Sequence, residues 1–406
     1  MTGAALVLAL TALKATGSGA NAGAGADAAA AAAAAPGSAA EYIARVEGPQ
    51  SPNRQGFDPL TIEQLMNRFR IPGVSIAVFK DFEIHWAKGY GVADVESKAV
   101  VDEHTAFQAA SISKPVTAIA VMRAVQDGTL SLDTDINTYL ESWKVPASEH
   151  NKSQPVTLRA LLSHTSGSGD GFGFPGYHPD APRPTVVQIL DGEKPSNVGK
   201  VFFERPPFTY MKYSGGGTTI VQLALIERLK RPFPETLKTT VLDPIGLRDS
   251  AYEQPLSPER DKRAARAHDG QGLSRDAKWH VYPELAAAGL WTTPSDLARI
   301  AIDVQKSLMM DQGKVLSRTT ARSMMTPAGV GGYAVGWAIE KRGEGWYFMH
   351  GGSNWGFQCQ LIAHMTKGYG VAIMTNSDSG GAILREIEQR VANAYDWDSL
   401  DKPVPR

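Results

Sequence analysis

Residues 108–125 read Gln-Ala-Ala-Ser-Ile-Ser-Lys-Pro-Val-Thr-Ala-Ile-Ala-Val-Met-Arg-Ala-Val, and nearly every position after Pro115 is apolar. A helix that is apolar on most faces must meet protein on most sides, so the rest of the chain has to wrap around it. Proline is tolerated only in a helix's first turn, where its missing N–H is no loss. Pro115 therefore predicts a helix that begins just before it. Ser111 then lies at or just before the N-terminal end, and Lys114, three residues on, shares its face.

That arrangement suits nucleophilic catalysis. A serine hydroxyl is a weak nucleophile until a base takes its proton. A lysine one turn away can do so if burial and the positive end of the helix lower its pKa. The same helix end offers free N–H groups to a developing oxyanion. Ser-x-x-Lys alone is a weak signal. Ser399 and Lys402 repeat it in a charged C-terminal segment with no apolar helix behind it, so the context of Ser111 carries the reading.

With 406 residues the chain is long enough for two domains, or for one domain with a large insertion. A hydrophobic content of 43% supports a substantial core, and a formal net charge of −1 gives no argument for nucleic acid or an anionic membrane as partner. Cys359 is the single cysteine, which excludes an intramolecular disulfide and a cysteine-based zinc site. No His-Glu-x-x-His, P-loop or dinucleotide-binding glycine motif occurs, so neither metal nor cofactor is expected. Residues 3–13 form an apolar run too short to span a bilayer, and Ala/Gly-rich sequence follows to residue 36. Residues 1–36 read as a secretory leader, although the first charge is Lys14. The expectation is a secreted or periplasmic protein with no membrane span in the mature chain; a cytoplasmic location is the alternative. Residues 37–59 read as a linker and 397–406 as a tail. Nothing in the sequence speaks to oligomeric state.

Residues 60–69 read as an amphipathic helix, and 73–79 and 83–92 as two strands joined at Lys80-Asp81. Asp127-Gly128 stops the central helix, and Thr157 can cap a short helix ending near His164. Residues 167–205, rich in Gly, Pro and Asp and carrying Phe172, Phe174 and Tyr177, read as a long irregular loop of the kind that forms lids or substrate walls. A glycine cluster at 215–217 precedes a helix at 218–229, and Thr293, Pro294 and Asp296 open another. Strands are expected at 335–339, 346–350, 357–363 and 370–375, and a last helix at 382–395. Strands at both ends with helices between them predict an α+β fold over residues 60–396. Its antiparallel sheet is built from both chain ends and flanked by helices, with an inserted helical region.

Three segments, Ser111-Ile112-Ser113-Lys114, Tyr213-Ser214-Gly215 and His350-Gly351-Gly352, stand in the order of the three motifs of serine β-lactamases and penicillin-binding proteins. The chain resembles the class C β-lactamase-like branch, which includes carboxylesterases, D-alanyl-D-alanine carboxypeptidases and D-aminopeptidases. Residues 161–167, 242–247 and 287–298 also look like that family. The resemblance implies a β-lactamase/transpeptidase-like fold. It implies Ser111 as acylated nucleophile, Lys114 as its proton partner and Tyr213 as the second acid/base group. It further implies an oxyanion hole from the backbone N–H groups of Ser111 and Ser353, and substrate binding along His350, Gly351, Gly352 and Gly215. On this reading positive charge on Lys114, with His350 as a second source, lowers the pKa of Tyr213, and the two glycines keep the strand bare for substrate. Taken alone, Tyr213 also reads as a packing aromatic and His350 as a strand end. His164 reads as structural, and Trp291 and Trp355 as core or cleft wall.

Two positions depart from the family pattern. Gly215 stands where asparagine is common, and His350 where lysine usually anchors a carboxylate. Both changes remove recognition of an anionic amide while keeping the acyl-transfer groups, so little β-lactamase activity is expected. No Gly-x-Ser-x-Gly occurs, which leaves an α/β-hydrolase nucleophile elbow unsupported. The expectation is a serine hydrolase acting on a small ester, amide or peptide, with esterase activity favoured. The alternatives are a D-Ala-D-Ala carboxypeptidase or β-lactamase, and a catalytically silent receptor or scaffold.

Overall fold

The computed structural model describes residues 37–50, 57–170 and 173–400. The leader, Phe172 and Lys402 lie outside them.

The sheet is made from the two ends of the chain. β1 (Gly73–Lys80) is buried at every position but its last, as a central strand should be. β2 (Glu83–Gly91) is fully buried only at Trp86 and Tyr90, as an edge strand should be. Asp81 and Phe82 both take positive φ, 52° and 63°, so the hairpin turn sits one residue later than Lys80-Asp81. Two short strands, β3 (Phe107–Gln108) and β4 (Trp291–Thr292), pair beside the site. β5 (Ala338–Arg342), β6 (Gly345–Asn354), β7 (Phe357–His364) and β8 (Gly370–Thr375) complete a six-stranded sheet in the order β2-β1-β8-β7-β6-β5. Its neighbours pair antiparallel, and β1 meets β8 in a register that sets Ile76 opposite Ile373.

Alternation along the strands divides the core. Val74, Ile76 and Val78 face a layer made by α1 (Ala39–Glu47), α2 (Ile62–Phe69) and the C-terminal helix Gly381–Ala394. Ala77 and Phe79 face the opposite layer, which holds α3 (Ser113–Gln126) and the helix Pro294–Met310. α3 is buried everywhere except Arg123, Val125 and Gln126. This matches an apolar run with no polar face.

Several expectations need correction. Residues 37–59 are not simply a linker, because α1 within them packs on the C-terminal helix through an apolar edge that includes Val46. Trp397 and Asp398 belong to the body rather than to a tail. Trp397 stacks on Tyr369, and Asp398 gathers Tyr347, Tyr369, Lys367 and His364. The wall 167–205 is not wholly irregular, since α4 (Leu158–Leu162) leads into it and α5 (Val186–Asp191) forms inside it behind a Thr185–Gln188 capping box. The strand expected at 335–339 starts only at Ala338. Gly336 takes φ +82°, and a Cβ there would lie 2.4 Å from Ala118 Cβ, so the chain turns tightly onto α3 first.

The glycine cluster is also not outside its helix. α6 (Gly215–Leu229) begins with it, and Ser214 is the N-cap. A Cβ on Gly216 would sit 2.4 Å from Val201 and 2.9 Å from Asp170, so the wall approaches α6 at a distance that only glycine permits.

Candidate active site

Ser111 occupies the 3-10 turn Ala110–Ile112 that leads into α3. Ala110 before it holds φ +48°, a left-handed conformation that a non-glycine residue keeps only when its surroundings impose it. The surroundings are visible. Ala109 N–H donates to Leu290 O at 2.8 Å, and Cys359 Sγ donates to Ala109 O at 3.1 Å. Ser113 Oγ donates to Ala110 O at 2.6 Å and accepts Leu290 N–H at 3.0 Å. β6 packs on the same turn. A Cβ on Gly352 would lie 2.3 Å from Ala109 O and 2.4 Å from Cys359 Sγ. The bareness of Gly352 thus serves packing against the Ala110–Ile112 turn rather than substrate access. Only Gly351 faces open space, with 3.8 Å to the nearest atom.

Lys114 is buried, and its Nζ donates to Ser111 Oγ at 3.1 Å and to Ala287 O at 2.9 Å. Burial lowers its pKa to about 7, against a weaker pull from the Asp170 carboxylate. Near neutral pH the amine is therefore free to accept a proton.

Tyr213 lies 5.0 Å from Lys114 Nζ, measured to its ring centroid. Burial pushes its pKa up to about 12, opposed only by a hydrogen bond with Ser111. The expected depression by positive charge does not occur, for two reasons. The cost of burying a phenolate dominates, and His350 supplies no positive charge. His350 is pushed down to about 3 by burial first and by the neighbouring lysine second. Its Nδ1 donates to Gly351 O at 2.6 Å, which leaves Nε2 a buried acceptor with no partner among the described residues. Tyr213 is accordingly a neutral phenol.

His164 brings Tyr213 into place. It is buried with φ +58°; its Nδ1 accepts Ser214 N–H at 3.3 Å, and its carbonyl accepts Lys212 N–H at 2.8 Å. Tyr333 closes the cluster, with ring centroids 4.8 Å from His164 and 6.1 Å from His350. Sequence reasoning missed Tyr333, which carries no motif. It also missed Asp170, whose carboxylate accepts the Ser214 hydroxyl at 2.8 Å and Gly216 N–H at 3.0 Å. Burial raises the pKa of Asp170, while these donors at the start of α6 favour its charged form. Gly215, the first residue of α6, is buried in this junction. Ser353 is exposed on β6 three residues past His350, where its Oγ accepts from Gln358 Nε2 at 2.8 Å. Trp291 is in the core, and Trp355 lies stacked between His280 and Arg275. Among the described residues no three His, Cys, Asp or Glu side chains converge as a metal site requires.

The structure thus brings Ser111, Lys114, Tyr213 and His350 together from the turn before α3, α3 itself, the segment before α6, and β6. A family model described as Beta-lactamase matches residues 60–396. Protein flp of Staphylococcus aureus (strain N315) is 24% identical over 343 residues, covering 80% of this chain and 64% of that protein. Esterase EstB of Burkholderia gladioli is 28% identical over 217 residues, covering 52% of this chain and 53% of the esterase. The chain therefore spans less than two thirds of the length of either relative. The D-amino acid amidase of Ochrobactrum anthropi SV3 superposes with a TM-score of 0.66 at 20% identity, over 88% of this chain and 98% of that one.

Proposed function

The chain belongs to the β-lactamase family, and we propose that it is a serine hydrolase that cleaves a small ester or amide through an acyl-enzyme on Ser111. The observation that carries this reading is Lys114 Nζ 3.1 Å from Ser111 Oγ, in a burial that brings its pKa to about 7.

Neutral Lys114 takes the Ser111 proton as Oγ bonds to the substrate's carbonyl carbon. Backbone N–H groups of Ser111 and Ser353 receive the oxyanion. When the intermediate collapses, the bond to the leaving group breaks and Tyr213 gives that group its proton. The Lys114 ammonium then reprotonates Tyr213. A phenol held neutral fits this role as donor better than a phenolate. Water repeats the sequence on the acyl-enzyme, releasing the acid and restoring Ser111.

The neutral state of His350 supports an ester or amide without a free carboxylate over a D-Ala-terminated peptide or a β-lactam. The esterase and amidase relatives support the same class.

The test is hydrolysis of p-nitrophenyl butyrate by the protein and by Ser111→Ala. Turnover in the parent that falls to background in the variant is expected. Equal turnover in both would sink the assignment, and so would a stable penicillin adduct with no ester turnover, which would point to the peptidase alternative.

A further inference from the structure

The four-residue turn Leu285–Ala288 accepts three side-chain donors, Lys114 among them. Ala286 O accepts the Thr117 hydroxyl at 3.2 Å, Ala287 O accepts Lys114 Nζ at 2.9 Å, and Ala288 O accepts Asn354 Nδ2 at 3.1 Å. Directly before it stands Glu284, fully buried, with the Tyr177 hydroxyl as the one side-chain group beside its carboxyl among the described residues. Gln222 of α6 pins the backbone on both sides of it. Its Nε2 donates to Pro283 O at 3.0 Å, and its Oε1 accepts Ala286 N–H at 2.9 Å.

We propose that Glu284 is a positioning residue held as a neutral carboxylic acid, and that its ionisation displaces the Leu285–Ala288 turn and so sets the alkaline limit of Ser111 reactivity. This rests on the reading of Ser111 and Lys114 given above. An ionised carboxylate buried without a cation or a set of donors is strongly disfavoured, so the charged form draws in water or moves the segment that carries it. The titratable groups near it are Tyr177, from the 173–198 wall, and Tyr282, two residues earlier in the chain. Burial raises both phenols, so both stay neutral. Among the described residues no lysine, arginine or histidine supplies a counter-charge. Burial pushes Glu284 itself up to about 8, opposed by its own N–H and by the Tyr177 hydroxyl. Lys114 becomes a free base through about 7, before Glu284 ionises. The reactive window lies between the two.

The experiment uses the full chain and Glu284→Gln, which keeps the shape and cannot ionise. A fluorophosphonate labels Ser111 across pH 6–10, and mass spectrometry locates the adduct. Parent labelling should rise through about 7 and then fall roughly tenfold between pH 7.5 and 9, as a single titration near 8 dictates. In Glu284→Gln the rise remains and the fall is absent. The same fall in both proteins overturns the proposal.

Thermal unfolding across pH gives a second readout. A carboxyl whose folded pKa is raised makes the parent lose stability as pH climbs from its unfolded value of 4.5 to about 8. The midpoint of Glu284→Gln minus that of the parent should therefore grow over this range, whatever its value at low pH. A difference constant with pH overturns the ionisation. Absence of labelling in the parent at every pH sinks the Ser111 reading and the alkaline limit with it, while the midpoint comparison still reports whether Glu284 titrates.

Discussion

The imidazole of His164 lies with its centroid 4.3 Å from that of Tyr213, tilted by 38°, while its Nδ1 takes the N–H of Ser214. One side chain thus packs on the Tyr213 ring and holds the N-cap of the helix that follows. His164→Ala removes both supports at once. Turnover number should fall roughly 10- to 100-fold with a smaller change in KM, because a misplaced acid/base group costs rate more than binding. His164→Asn, whose amide oxygen can still accept Ser214 N–H, should recover part of the loss. Equal kinetics for Ala, Asn and parent would dismiss the positioning role.

The burial that lowers the pKa of Lys114 has a cost in stability. Its pKa is 10.5 unfolded and about 7 folded, so between these values the unfolded chain binds more protons and stability rises with pH. Below about 7 the full penalty is present. Lys114→Met should abolish turnover yet raise stability at pH 6 by about 3 kcal/mol, with the gain shrinking toward pH 10. Denaturant unfolding at the two pH values checks it. A variant less stable at pH 6 would count against the buried neutral amine.

Gly351 and Gly352 are neighbours with different reasons to be glycine. Gly352→Ala drives a methyl into Ala109 O and Cys359, and should cost about 2–3 kcal/mol while lifting β6 from the nucleophile turn. Gly351→Ala meets nothing nearer than 3.8 Å and should fold like the parent. Its effect, if the strand binds substrate, appears in KM alone. Similar melting losses for both would refute the distinction.

The Asp398 carboxylate accepts from Tyr347 at 2.6 Å, Tyr369 at 2.7 Å and Lys367 at 2.5 Å. Burial works the other way, but these donors hold its pKa at about 2. A depressed carboxylate contributes stability that is present above its unfolded value of 3.8 and lost as pH falls through about 2. Asp398→Asn should lower stability at pH 7 by about 2 kcal/mol, with allowance for water at the edge of the site. The deficit should close between pH 4 and pH 2. A pH-independent deficit would mean that packing of the segment, not its charge, is what the variant disturbs.

The elements legible in the sequence are those whose signal is local. Pro115 with the apolar run behind it places the start of α3 within a residue or two, and Thr293-Pro294 opens its helix in the same way. Thr61 completes a capping box with Gln64 at the start of α2. The glycines at 215–217 misled in the other direction. Their poor helix propensity argues against a helix, but the approach of Val201 and Asp170 overrides it, and that approach is not written near them in the chain. His164 and Tyr213 meet across 49 residues, and Glu284 carries no motif at all.

The sequence by itself determined the antiparallel sheet drawn from both chain ends, the buried helix behind Pro115, and the spacing that puts Ser111 and Lys114 on one face. The helix start and the Ser111–Lys114 spacing follow from backbone geometry over a few adjacent residues, and the sheet from the order of strand-like and helix-like segments along the chain. Tertiary structure decided the protonation of the site: a lysine poised near 7, a tyrosine held neutral rather than ionised, an uncharged His350 and a buried Glu284. Those states depend on how much water each group loses and on which charges remain beside it. Both are set by segments hundreds of residues apart that only the folded chain brings together.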